Sequence, residues 1–395
     1  MQKKIAIILP GYLPVPALAG GAIETLVDGL ISVNEQLKSI NITVFSAYHK
    51  QAVVQSAPYH FTQFYWIKYT WINKIVNFAT RIYAKFSRNP IPHYGLLQVL
   101  QKLKDEQYDL VIVEGNDQQI EPIAKVIGKD KVYFHLHANL FASPSHYEHC
   151  KTVISISNFV TRQILLYTKK KQDEIIILPN CVDIFRFEVI DKKQKREACR
   201  NKYQISDEDV VICFVGRIVE EKGIKELMEA LLLLPQNISF KLLIVGSSGS
   251  SFGFSNGTTH FFEEVRTLAK QLKSKVLFTG FIPNTEMDNI LAAADVSVVP
   301  SVYEEPAGLV VIEAMAAGLP LVITKSGGMP EYVTEECAVV IPIDADLITN
   351  LSVAIKKLIE SPEQRKKMGA AGVINAQQYG FNSYYANFLK IIEKD

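Results

Sequence analysis

VYEEPAGLVVIEAMAAGLPLVITKSGGMPEYV, running from Val302 to Val333, decides how the rest of the chain is read. Two glutamates, Glu305 and Glu313, stand eight positions apart in it. Pro306 suits the position just before a helix, where a missing N–H is not needed. Ala307 to Val310, with Gly308 and Leu309 between them, would then supply the free N–H groups of a first helical turn. Amides and dipole at such a terminus both favour an anion. Glu305 falls just outside that turn and Glu313 within the helix. The segment therefore reads as a phosphate cradle with one acceptor before it and one after it.

Outward from this stretch, continuous Val/Ile/Leu runs alternate with helical patterns. Candidate strands are 4–9, 42–46, 110–113, 132–136, 153–156 and 175–178, then 210–215, 241–245, 276–278, 296–299, 321–323 and 339–341. Unbroken apolar strands between amphipathic helices indicate parallel sheets covered on both faces. Two such series indicate an α/β chain with two doubly wound, Rossmann-like domains. The pattern breaks after Pro179-Asn180-Cys181-Val182-Asp183, which sets the domains at 1–183 and 184–377. A C-terminal helix, 378–395, is expected to cross back to the first domain.

Charged groups cluster at strand ends, where open α/β sheets bind ligands. Arg217 follows the run Val210–Val215, and Lys222 stands five residues on. A planar guanidinium fork and a point-charge ammonium together suit a diphosphate. Gly20-Gly21, with Glu24 behind, lies after the first strand and lets backbone approach a ligand closely. No GxGxxG follows that strand, so a dinucleotide oxidoreductase lacks its fingerprint. His135 and His137 end the run Val132–Leu136 in HLHANLF. No further His or Cys stands at metal-ligand spacing, so no metal is expected. Asp207-Glu208-Asp209 and Asp344-Ala345-Asp346 read as a turn and a helix cap, not as an Asp-x-Asp metal motif.

The Val302–Val333 stretch resembles the signature of the retaining GT-B glycosyltransferases of glycosyltransferase family 4, of the bacterial surface-polysaccharide type. That family has Glu-Pro-Phe-Gly and a second Glu eight residues after the first; Ala307 here replaces the Phe. Gly216-Arg217 with Lys222-Gly223, Gly20-Gly21-x-x-Glu24 and AMAAGLPLVIT are also similar. Pro-Asn-Gly-Val-Asp of the family is matched with Cys181 in place of Gly. The resemblance implies two Rossmann-like domains facing across a cleft, with a nucleotide-diphosphate sugar, UDP-linked by preference, as donor. It implies that Glu313 holds the ribose and that Arg217, Lys222 and the Gly308–Val310 amides hold the diphosphate. Gly20 and Gly21 would close over the phosphates. Glu305 would bond donor-sugar hydroxyls, with His137 facing the anomeric region. Transfer with retention, without metal or cofactor, follows. A GT-B nucleotide-sugar epimerase and a non-catalytic sugar-binding or scaffold protein of the same fold are the alternatives.

Composition agrees with a globular protein: 48% of residues are hydrophobic and 21% charged, with a net charge of +1. The five cysteines are scattered and form no CxxC pair, which fits a reducing compartment. MQKKIAIILPG carries too short an apolar run for a signal segment and reads as the first strand. No stretch approaches the ~18 apolar residues of a spanning helix. The charge is unevenly placed, however. Gln36 to Lys104 holds no Asp or Glu, and Lys74, Arg81, Lys85 and Arg88 recur on one helical face. Trp66, Tyr69 and Trp71 precede them. Such a face suits an anionic membrane surface. No nucleic-acid motif accompanies the charge. The expected location is cytoplasmic, peripheral on the inner face of the cell membrane, with a glycan or lipid-linked glycan as acceptor.

Overall fold

A computed structural model describes residues 2–18, 21–68, 94–139, 144–187, 191–248 and 260–393. They divide into two compact units, Met1–Asn180 with Phe381–Asp395, and Cys181–Gly380. The sequence had set these divisions at 183 and 378.

The first unit is built on seven parallel strands: β1 (Lys4–Ile8), β2 (Asn41–Ala47), β3 (Thr62–Ile67), β4 (Leu110–Glu114), β5 (Val132–Leu136), β6 (Thr152–Ser155) and β7 (Ile175–Ile177). Their order is β3-β2-β1-β4-β5-β6-β7. Chain order reverses between β1 and β4, which is where such sheets open a crevice at the carboxyl ends of their strands. All five residues of β4 and of β5 are buried, as expected of strands covered on both faces. β3 departs from this most. Its sequence TQFYWI mixes polar and aromatic residues because it is an edge strand, with its middle only half buried. Trp66, expected to flank a basic helix, belongs to this strand and stacks on Phe64. The helix Phe381–Glu393 packs on Ala22–Leu37, where Tyr385 donates to the buried Asn34 at 2.6 Å.

The second unit holds six parallel strands: β8 (Val210–Val215), β9 (Phe240–Val245), β10 (Val276–Gly280), β11 (Val296–Val299), β12 (Leu321–Thr324) and β13 (Ala338–Ile341). Their order is β10-β9-β8-β11-β12-β13, so the reversal falls between β8 and β11. Alternate residues feed two cores. Val211 and Cys213 pack on one face of the sheet, Ile212 and Phe214 on the other. Two Rossmann-like α/β units thus make up the fold. All five cysteines are buried and unpaired. Among the described residues no helix is long and apolar enough to cross a membrane.

Candidate active site

In the second unit the loops after β8, β11 and β12 are locked together by backbone. Val302 and Tyr303 donate N–H bonds to Glu221 O at 3.0 and 3.3 Å. Gly223, at φ +68°, lies so close to Pro300 that a Cβ would stand 1.8 Å from its carbonyl oxygen. Gly327, at φ +52°, is pressed equally against Glu305, whose carbonyl accepts from Gly328 N–H at 2.7 Å. Only glycine tolerates both the backbone angle and the contact. These locks bring Lys222 and Glu305 together although 83 residues separate them. Lys222 Nζ and Ser301 Oγ both donate to Glu305 Oε1, at 2.5 and 2.8 Å. Oε2 of Glu305 has no hydrogen-bond partner among the described residues, and the side chain is 14% exposed.

Behind Glu305 begins the helix Leu309–Ala316, capped by Gly308 with no side-chain bond. Val311 and Ile312 donate to Gly308 O. The amides of Gly308, Leu309 and Val310 precede those bonds and donate to nothing among the described residues. Glu313 sits inside this helix, buried. Burial pushes its carboxyl up to about 7, against the opposing pull of Arg186 and a hydrogen bond from Asn284. Arg186 in turn donates to the Asn284 carbonyl and side-chain oxygens at 2.6 and 2.8 Å. Arg217 is exposed at the end of β8 and has no acidic partner among the described residues. The second unit thus holds two cations, Lys222 and Arg217, and three amides unbonded among the described residues, with a carboxyl group before them and another after them in the chain.

In the first unit, His137 lies just past β5 and meets Glu114, the last residue of β4. His137 Nε2 stands 2.5 Å from Glu114 Oε2, and His135 Nδ1 stands 3.1 Å from the same oxygen. Burial would raise the Glu114 carboxyl, but the two histidines outweigh it and hold it at about 2. His137 is pushed below its ordinary value by burial first and by His135 second. The three ligand-type atoms lie within 4.8 Å of one another. Two ligands on a tetrahedral zinc would stand about 3.3 Å apart, given metal–nitrogen bonds near 2.0–2.1 Å. A 2.5 Å contact is a hydrogen bond, so the trio as placed is a polar network. Gly21, at φ +99°, precedes the helix Ala22–Leu37, and a Cβ there would meet the Glu24 carboxylate. Gly20 and the basic face Lys74, Arg81, Lys85 and Arg88 lie outside the described residues.

Residues 195–373, within the second unit, match the family described as glycosyl transferases group 1. The lipopolysaccharide 1,2-N-acetylglucosaminetransferase of Salmonella typhimurium is 24% identical over 345 residues, 85% of this chain and 84% of its own. The fold is similar to a glycosyltransferase of Rickettsia africae, with TM-score 0.76, 18% identity, and coverage of 100% of this chain and 98% of that one. It is also similar to HepE of Anabaena, solved with UDP, with TM-score 0.73, 17% identity and full coverage of both chains. The structural likenesses show a two-domain, Rossmann-like GT-B fold.

Several polar partners in these two places carry no local signal in the sequence. Glu114 is one: it closes LVIVE, and a charge ending a fully apolar strand before Gly115 is the mark that could have found it. Ser301 and Ser326 are others. Ser326 Oγ accepts from Glu305 N–H at 3.1 Å and donates to the Tyr303 carbonyl, fixing the turn that carries Glu305. Arg186 and Asn284 reach Glu313 across long stretches of chain, and nothing local marks them.

Proposed function

We propose that this glycosyltransferase moves a hexose, with retention, from a UDP-sugar to a lipid-linked glycan acceptor in surface-polysaccharide synthesis. Glu305 carries the proposal. One of its oxygens is held by Lys222 and Ser301, and the other is unpartnered directly ahead of three open amides. That is a hydroxyl acceptor set beside a diphosphate cradle. The acceptor hydroxyl forms its bond to the anomeric carbon as the bond from that carbon to the diphosphate oxygen breaks. Its proton leaves on the departing phosphate. Lys222, Arg217 and the Gly308, Leu309 and Val310 amides take up the charge that develops there. Glu313 holds the ribose. UDP and UDP-glucose complexes of the Anabaena neighbour favour a UDP donor. The lipopolysaccharide in the Salmonella relative's name and the acid-free basic span, Lys74 to Arg88, favour an acceptor at the inner membrane surface.

The test is a thermal-shift panel of UDP-, GDP- and dTDP-sugars, followed by transfer to a lipid-linked glycan in anionic vesicles and to the same glycan free in solution. A UDP-sugar should raise Tm most, because a ligand of the native state stabilises it. Stabilisation by none of them would overturn the donor assignment. Equal transfer to the free glycan, with no vesicle binding at low salt, would overturn the lipid-linked acceptor.

A further inference from the structure

One buried oxygen, Oε2 of Glu114, receives both histidines, and that geometry has a chemical result. We propose that Glu114 is a positioning residue that keeps the proton of His137 on Nε2, so that Nδ1 meets a ligand as a hydrogen-bond acceptor. A carboxylate only accepts, so each nitrogen facing it must carry a hydrogen. For His137 that nitrogen is Nε2, at 2.5 Å; for His135 it is Nδ1, at 3.1 Å. A neutral imidazole has one N–H, so with Nε2 protonated the Nδ1 of His137 is bare. Burial favours the neutral ring of His137.

The two ring nitrogens that face away from Glu114 differ in access. His135 Nε2 is buried with no partner among the described residues. Its side chain is 2% exposed, against 9% for His137. His137 is thus the member of the trio that a ligand can reach. Backbone fixes the pair: Glu114 lies opposite His135 in the β4–β5 ladder, and Gly115 N–H donates to His135 O at 2.9 Å. Glu24, the other carboxylate whose charge His137 feels, makes no hydrogen bond to it among the described residues. Among the described residues no second acid hydrogen-bonds the ring.

A bare nitrogen takes a hydrogen bond from O–H and repels a phosphate oxygen. The ligand group that faces His137 is accordingly a hydroxyl; that it belongs to the donor hexose rests on the function proposed above. The experiment uses the full chain labelled with ¹⁵N-histidine, with His137→Asn to assign the ring. The expected signal is a neutral His137 with a solvent-protected proton on Nε2, lost in Glu114→Ala. A proton on Nδ1, a doubly protonated ring, or an Nε2 proton in fast exchange would overturn the assignment. This measurement on the unsubstituted protein decides even if Glu114→Ala fails to fold. With a UDP-hexose, the variant should lose about tenfold in kcat/KM, the scale of one hydrogen bond, while affinity for UDP alone is kept. An unchanged kcat/KM, or an equal fall in UDP affinity, would also overturn it. If no nucleotide sugar is turned over by the unsubstituted protein, the function fails and the ring proton still settles Glu114.

Discussion

Glu305 and Glu114 occupy corresponding places in their two sheets. Each lies at or just past the carboxyl end of the strand beyond the order reversal, β11 in one unit and β4 in the other. Each is held from the neighbouring strand, by Ser326 and Gly328 past β12 or by His135 and His137 at the end of β5. The outcomes differ. Glu305 is paired with a lysine and keeps one oxygen unpartnered among the described residues, whereas Glu114 is 2% exposed and both of its partners are imidazoles. One topological position can present a charge to a ligand or turn it inward to orient another group. Burial and partner chemistry decide which.

The hardest test of that contrast is to remove the cations. Arg217→Ala and Lys222→Ala should each lower donor turnover by about 10²–10³-fold, the scale of lost electrostatic stabilisation of a transition state. If Lys222 served only to neutralise Glu305, combining Lys222→Ala with Glu305→Gln would restore turnover. Restoration, seen in initial rates on a UDP-sugar, would make the two carboxylates alike after all.

A smaller effect separates the buried glutamates by pH. The Glu313 carboxyl is raised to about 7, so the folded state binds a proton that the unfolded state releases above the ordinary carboxyl range. Stability should fall as pH rises from there to about 7 and then level off. Glu313→Gln should remove that slope and gain a few kcal/mol above pH 7. Glu114 has the opposite sign: its contribution is present above the ordinary range and is lost as pH falls toward 2. Melting curves of Glu313→Gln and the unsubstituted chain between pH 5 and 8, if parallel, would refute the assignment for Glu313.

The smallest expected effect is none. EDTA should leave transfer intact if, as proposed, Arg217, Lys222 and the helix terminus take up the diphosphate charge. Loss of activity restored by Mg²⁺ or Mn²⁺ would shift the charge-presenting role from Lys222 to an ion.

Legibility in the sequence followed the same divide. Where a site is contiguous, as from Val302 to Val333, local spacing carried Glu305, Gly308 and Glu313 directly onto a loop and helix. Twelve of the thirteen strands were legible as apolar runs, the central ones because parallel strands are buried on both faces. β3 was not, because an edge strand need not be continuously apolar. Glu114, Arg186 and Asn284 were illegible for another reason. Their partners come from other strands and loops, and contact across a sheet leaves no period in the chain.

The neck of the second unit has a practical meaning. Val182 pairs with Gly380 in an isolated parallel bridge, and Val182 N–H donates to Tyr379 O at 2.9 Å. The unit is therefore an insertion whose entry and exit are stitched together, not a bead strung between two others. A segment with adjoining ends can be lifted out, circularly permuted or grafted as a cassette. If this unit binds the donor as proposed, exchanging 181–380 between relatives would transplant donor choice as one block, leaving the host chain's own sheet uncut.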